Sequence, residues 1–338
     1  MKYCPKVSVI MSTFNTPDLW LCQAIESILN QSYKNIEFII VDDYSKKSIE
    51  HIIERYQDER IYLIKNKENK GLTKSLNIAL NMATGEYIAR MDSDDISLPE
   101  RLKTQVEFME ANPEIIVCGT YRRAFGIENK NEIWDIPTTR KKQQIELFFY
   151  NCGLTHPTAM FRRSMLVEHG ILYNEKYIKA QDYGIWVQCT RYAPMAVIPR
   201  ILLKYRKSSR QVTSNREDVK YFDSLVKTDQ LTNIGIFPSI EEKKLHLAFC
   251  DLYPSVNAAK LFEWVNRLDE NNIVYNFFDK KLFTRRLRKQ WYLFCKKQLT
   301  EYHDESYRRY YDKIKKYYYF GDFSIKVKTA ISRVIKKA

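Results

Sequence analysis

The chain has 338 residues, of which 45% are hydrophobic, and a formal net charge of +14; this gives room for one large domain, or one domain with an appendage, around a sizeable core. Its seven cysteines (Cys4, Cys22, Cys118, Cys152, Cys189, Cys250, Cys295) are odd in number, far apart and without a CxxC pair, which excludes a zinc knuckle or a disulfide framework and points to buried, inert thiols in a reducing compartment. No stretch reaches the roughly 18 to 20 apolar residues that span a bilayer, and the apolar run near the start is too short for a signal peptide, so the protein is expected on the cytoplasmic side.

Residues 7–11 (Val-Ser-Val-Ile-Met) predict a buried strand, being short, β-branched and apolar. Leu21, Ala24, Ile25, Ile28 and Leu29 follow at helical spacing. A second strand over 37–41 runs into Asp42 and Asp43, and a third covers 61–64. Leu72, Leu76, Ala79, Leu80 and Ala83 outline another amphipathic helix. A fourth strand over 86–91 ends at Asp92-Ser93-Asp94-Asp95, and Pro99 then opens a helix, where proline suits the first turn. Alternating strands and helices predict βαβ units, hence an α/β fold with a mostly parallel central sheet flanked by helices. In such sheets ligands bind beyond the carboxyl ends of the strands. Three of those ends are polar: residues 12–15, 42–43 and 92–95.

The pattern loosens after about residue 120, with a short strand expected over 158–161, a helix over 181–192 and an extended run over 196–205. From about residue 215 the chain reads as helical and rich in Lys, Arg and Tyr. The excess charge sits at the end, with 17 Lys and Arg against 5 Asp and Glu between Lys281 and Ala338. The expected organisation is a domain over 1–215 and a basic, aromatic-rich helical region over 216–338.

Asp92, Asp94 and Asp95 are the sharpest chemical signal. Three carboxylates crowded at a strand end repel one another unless a cation sits among them. Oxygen-only ligands suit Mg²⁺ or Mn²⁺, which share their shell with phosphates. The alternative is a solvated acidic turn before the Pro99 helix. Asp42 and Asp43 can accept from a ribose or base, or form a turn. Phe14, beside Ser12 and Asn15, can stack on a base or belong to the core. Gly71 precedes a helix whose N–H groups can face a phosphate; Lys74 and Arg90 can add positive charge there or make structural ion pairs. His156 can ligate a metal, bond a phosphate or be structural. Asp182, at a helix start, suits capping on physical grounds alone.

Taken in order, Val-Ser-Val-Ile-Met-Ser-Thr-Phe-Asn (7–15), Ala-Ile-Glu-Ser-Ile-Leu-Asn-Gln-Ser (24–32), Phe-Ile-Ile-Val-Asp-Asp-Tyr-Ser (38–45), Asn-Lys-Gly-Leu (69–72) and Gly-Glu-Tyr-Ile-Ala-Arg-Met-Asp-Ser-Asp-Asp (85–95) resemble the family 2 glycosyltransferases, of the bacterial capsule, lipopolysaccharide and exopolysaccharide type. The resemblance implies the GT-A fold and an inverting transfer from a nucleotide-diphosphate sugar, with UDP the commonest carrier. It puts Ser12, Phe14 and Asp43 at the nucleoside, with Asp42 beside them. Asp92, Asp94 and Asp95 fall at the metal and diphosphate, and Asp182 is implied as the base that activates the acceptor. Gln181 stands where the family has glutamate, and Trp186 matches an aromatic on the acceptor side. The Gln-x-x-Arg-Trp signature of processive synthases is absent, which favours one sugar per encounter.

Over 281–338, basic clusters alternate with Trp291, Tyr292, Phe294, Tyr310 and Tyr311, and Ile325, Ile331, Val334 and Ile335 fall mostly on one helical side. That pattern fits an anionic membrane surface, with a lipid-linked saccharide as acceptor and a peripheral position on the inner face of the cytoplasmic membrane; a solvated helical bundle with a basic face fits it too. The rival readings are a nucleotidyltransferase acting on sugar phosphates and a nucleic-acid binder. The first lacks an early Gly-rich phosphate loop. The second leaves the acidic cluster unexplained, so no nucleic-acid partner is expected.

Overall fold

The computed structural model describes residues 4–208, 216–253 and 256–315. In chain order the strands are β1 (Val7–Thr13), β2 (Ile36–Asp42), β3 (Ile61–Lys65), β4 (Tyr87–Asp92), β5 (Ile96–Ser97), β6 (Val117–Gly126), β7 (Lys130–Glu132), β8 (Met160–Arg162) and β9 (Met195–Lys207). The helices are α1 (Asp18–Leu29), α2 (Glu50–Ile53), α3 (Leu72–Met82), α4 (Arg101–Ala111), α5 (Arg140–Phe149), α6 (Arg163–Glu168), α7 (Gln181–Tyr192), α8 (Arg216–Asp229), α9 (Ile240–Asp251), α10 (Ala258–Tyr275) and α11 (Lys280–Thr300). Two compact units divide the chain: 1–147 with 151–226, and 148–150 with 227–338. The boundary expected near residue 215 lies outside the described residues.

In the first unit the strands run in the order β3-β2-β1-β4-β8-β6-β9-β5, with β7 on β6. Alternate side chains feed two apolar layers, as a pleated strand dictates. Ile10, Ile39, Val41 and Ile88 pack with Leu76 and Ala79 of α3 and with Trp186 of α7. Val9, Met11, Phe38, Ile40 and Met91 pack with Leu21 and Ile25 of α1 and Leu102 and Val106 of α4. Both faces are covered, which is why β1 and β2 read as apolar runs broken only by Ser8 and Glu37 before their polar ends.

The expectation of a mostly parallel sheet holds for half of it. β3, β2, β1 and β4 are parallel neighbours. β8 is antiparallel to β4 and β6, β9 is parallel to β6, and β5 is antiparallel to β9. The sheet is therefore mixed. β6 escaped the sequence reading because its second half, Tyr-Arg-Arg, is polar and irregular in register. The register of the parallel half sets Ser12 level with Asp92 and Thr13 level with Asp42. The three polar strand ends thus share one edge.

The second unit is helical. Ser239 and Glu242 form a capping box on α9, while Asn257 and Asp279 cap α10 and α11 with their side chains. Its core is aromatic, with Phe278 stacked on Phe283 at 4.7 Å. Trp291 and Phe294, part of the pattern that fitted either a membrane surface or a helical bundle, are buried in this core. The amphipathic segment carrying Ile325 to Ile335 lies outside the described residues.

Candidate active site

A cavity of about 1090 Å³ opens at the shared strand edge. Its wall holds Ser12, Phe14, Asn15, Asp43, Gly71, Arg90, Asp92, Asp94, His156, Gln181 and Asp182, eleven of the residues picked out in the sequence. Asp42, Lys74, Asp95 and Trp186 are not on this wall.

The first two strand ends are held by their own loops. Asn15 takes a left-handed backbone (φ 51°), which asparagine tolerates. Its Oδ1 accepts from the Lys46 N–H at 2.9 Å, and its N–H donates to Ser45 Oγ at 3.0 Å. Phe14 is thereby left 49% exposed, with a free ring face. Asp42 is buried behind the wall and accepts from the Ser45 N–H at 3.1 Å. Asp43 is buried and fully engaged: Oδ1 accepts from Asn66 Nδ2 at 2.7 Å and the Lys70 N–H at 2.8 Å, and Oδ2 accepts from the Gly71 N–H at 2.8 Å. The Gly71 N–H, expected to face a phosphate, is therefore spent on Asp43. Lys74 points to Glu175 at 3.7 Å instead of the cavity.

At the end of β4, one oxygen from each of Asp92, Asp94 and Asp95 lies within 4.8 Å of the others. Burial, and then the charge of Asp92, push Asp94 up to about 6. Asp95 is raised well above the usual carboxylate range by complete burial and by both neighbours. Its Oδ1 accepts from the Arg206 N–H at 2.8 Å, but its buried Oδ2 has no hydrogen-bond partner. A bare buried oxygen beside two more carboxylates costs free energy that a cation would relieve. The all-oxygen donor set fits Mg²⁺ or Mn²⁺. Arg90, 3% exposed, donates from Nη2 to Asp92, and its Nε and Nη1 have no partner.

Arg206, which the sequence reading missed, braces this turn. Its Nε donates to the Asp94 carbonyl at 2.7 Å and its Nη2 to Gln23 Oε1 at 2.7 Å. Its guanidinium lies between the rings of Trp20 (4.7 Å) and Phe125 (4.5 Å). The signal was a basic-aromatic strand end, Tyr205-Arg206-Lys207, in a run read only as extended. The rest of the rim was missed as well: Tyr205 and Lys207 with Arg122, Glu132 and Trp134 of the β6–β7 hairpin. Arg122 pairs with Glu132 and stacks over Tyr205 at 4.0 Å.

Asp182, also on the cavity wall, sits in the first turn of α7, after the N-cap Ala180. Oδ1 accepts from the Tyr183 N–H at 2.7 Å and Oδ2 from Asn151 Nδ2 at 3.4 Å. Burial raises its pKa, partly offset by those donors. Gln181 lines the cavity with a buried, unpartnered Oε1. His156 bonds Tyr173 Oη through Nε2 at 2.7 Å, and burial, then Arg90, hold it neutral. It stands apart from the carboxylate cluster. Trp186, expected on the acceptor side, is a core residue: it is fully buried and stacked on Phe161 at 5.7 Å. Gly153 packs so closely that a Cβ there would lie 2.1 Å from the indole.

An acidic cluster closing a parallel strand, sharing an open cavity with a half-buried carboxylate, Asp182, suits group transfer from a phosphorylated donor. Residues 8–170 match the model of Glycosyl transferase family 2. The chain is 41% identical over 212 residues to an uncharacterized glycosyltransferase of Methanocaldococcus jannaschii, covering 61% of this chain and 72% of that one. It is 29% identical over 252 residues to the UDP-Glc:alpha-D-GlcNAc-diphosphoundecaprenol beta-1,3-glucosyltransferase WfaP of Escherichia coli, covering 74% of this chain and 93% of that one. The crystal structure of S. aureus TarS 1–349 in complex with UDP-GlcNAc superposes with a TM-score of 0.59 at 19% identity, covering 94% of this chain and 92% of that one. That likeness places the fold in the GT-A class. The chain belongs to glycosyl transferase family 2 and is a glycosyltransferase.

Proposed function

We propose that the protein is an inverting, divalent-cation-dependent, non-processive transferase. It moves one sugar from a UDP-sugar to a lipid-linked saccharide in cell-surface polysaccharide synthesis, at the inner face of the cytoplasmic membrane. One observation carries this reading: Asp92 and Asp94 share one cavity with Asp182. The donor named for the E. coli relative is UDP-Glc and its acceptor a diphosphoundecaprenol-linked sugar; the S. aureus structure holds UDP-GlcNAc. Both support the substrate classes proposed here.

In this mechanism Phe14 stacks on the base, and Ser12 and Asn15 bound the nucleoside pocket. Asp94, Asp95 and Asp92 would hold Mn²⁺ or Mg²⁺, which would supply Lewis-acid compensation for the charge of the diphosphate leaving group. Arg90 balances the carboxylates from behind. Asp182 takes the proton of an acceptor hydroxyl as that oxygen bonds to C1 and the C1–diphosphate oxygen bond breaks. Its raised pKa brings the base closer to working pH, where proton transfer is most effective. The structural bonds from Tyr183 and Asn151 fix its orientation, as positioning requires. Gln181 keeps a second negative charge away from Asp182 and offers its free carbonyl oxygen to an acceptor hydroxyl.

The test is a screen of nucleotide sugars with Mn²⁺, read by nucleoside diphosphate release. Release of UDP from one or a few UDP-sugars is expected, and chelation should stop it. Pyrophosphate release would instead identify a nucleotidyltransferase. No cation-assisted binding of any sugar nucleotide would end the reading.

A further inference from the structure

The second unit carries apolar side chains that its own packing does not use. Phe237 is 81% exposed, and Ile240 and Val274 are each 77% exposed. They come from two segments that the fold lays side by side. Gly235 takes φ +70°, and the ring of Tyr275 lies so close over it that a Cβ would fall 2.0 Å from Tyr Cζ. Asn271 Nδ2 donates to the Ile234 carbonyl at 3.1 Å. The loop before α9 and the last turn of α10 thus form one face.

Lysines border that face. Ile240, Lys243 and Lys244 lie three and four residues apart on α9, so they share a side, and both lysines are exposed. The acids of the same turn are already used: Glu241 pairs with Lys260 at 2.7 Å and Glu242 pairs with Arg267. Lys243 and Lys244 make no ion pair of their own among the described residues. Lys280 and Lys281, also exposed, open α11 directly after its N-cap Asp279, and the first turn itself holds no acid. Cations there oppose the helix dipole, so helix stability does not explain them. Glu270, one turn before Val274, and Glu241, next to Ile240, are exposed acids at this side.

We propose that this face docks on an anionic lipid bilayer. Phe237, Ile240 and Val274 enter the boundary between headgroups and acyl chains, and Lys243, Lys244, Lys280 and Lys281 meet the headgroup phosphates. A second copy of the chain fits less well. A two-fold contact sets the face against itself and brings the lysines together, and lysine is depleted from protein–protein interface cores. The proposal stands apart from the catalytic reading, because no residue in it lines the active-site cavity.

Co-sedimentation of the full chain with vesicles tests it. Phosphatidylcholine vesicles containing phosphatidylglycerol should bind the chain at least about tenfold better than phosphatidylcholine alone. The triple change Phe237→Ser, Ile240→Ser, Val274→Ser should abolish that binding while leaving the melting temperature unchanged, since all three side chains are exposed. Lys243→Gln with Lys244→Gln should weaken it by about fivefold per lysine. Undiminished binding by the triple variant overturns the proposal, as does equal binding to the two vesicle types or none to either. So does loss of binding only when residues 316–338 are removed. A triple variant that changes the oligomeric mass in light scattering and not vesicle binding would assign the face to a second copy instead.

Discussion

Two aspartates at strand ends on either side of β1, Asp43 after β2 and Asp95 after β4, are both buried and have opposite surroundings. Asp43 receives three N–H groups, two from backbone, and ties the 66–71 segment to the sheet. Asp95 receives one and keeps a bare oxygen beside Asp92 and Asp94. A satisfied buried carboxylate stabilises the fold that surrounds it. An unsatisfied one persists at the expense of the fold, and that pattern marks functional sites. On the function proposed above, the difference assigns Asp43 to architecture beside the nucleoside site and Asp95 to the cation site.

The largest effect should come from Asp182. Asp182→Asn keeps the shape and removes the base, so turnover should fall by about 10²–10⁴, while calorimetry finds donor binding intact. Near-normal turnover would transfer the base role elsewhere. Asp94→Ala should cost about 10²–10³ in rate and lose cation-assisted donor binding, so the two variants separate binding from chemistry.

Stability sharpens the contrast between the aspartates themselves. Asp43→Ala leaves two backbone N–H groups of the 66–71 segment without an acceptor, and should cost about 1–3 kcal/mol in denaturant unfolding. Asp95→Asn keeps an oxygen for the Arg206 N–H and replaces a crowded charge with a neutral amide. Without cation it should raise stability by on the order of 1 kcal/mol at neutral pH, while abolishing cation-assisted donor binding. Equal destabilisation by both changes would erase the distinction.

The sequence could not have drawn this distinction, because the N–H groups that satisfy Asp43 come from Asn66, Lys70 and Gly71, beyond α2 and β3. What was legible was local. β1, β2, β4 and α7 follow from apolar runs and spacing, and Asp92 to Asp95 announce themselves by crowding. Trp186 was misplaced because a helix face does not reveal whether it meets a cavity or, as here, Phe161. Arg206 and the β6–β7 rim were missed because charged, aromatic strand residues lack the alternation that marks a half-buried strand. Their role depends on pairing between β6 and β9, nearly eighty residues apart. In the second unit, composition left Trp291 and Phe294 open between a membrane surface and a helical bundle, and the fold buries them while exposing Phe237.

The smallest effect is a pH dependence. Asp94 ionises near 6 in the folded chain against an ordinary 3.8. Between those values the native state binds more protons than the unfolded state, so this group's contribution to cation-free stability falls as pH rises through the window. Asp95, raised well above its ordinary value by burial and its neighbours, acts in the same direction. A cation binds only the ionised cluster, so protons compete with it. The rise in melting temperature produced by Mn²⁺ should therefore be small at about pH 5 and grow toward about pH 7.5, and it should vanish in Asp94→Ala. Differential scanning fluorimetry across that range decides the matter. A cation-induced rise that is flat with pH would mean that the cation sits on groups other than these carboxylates, and the contrast between Asp43 and Asp95 would lose its functional meaning.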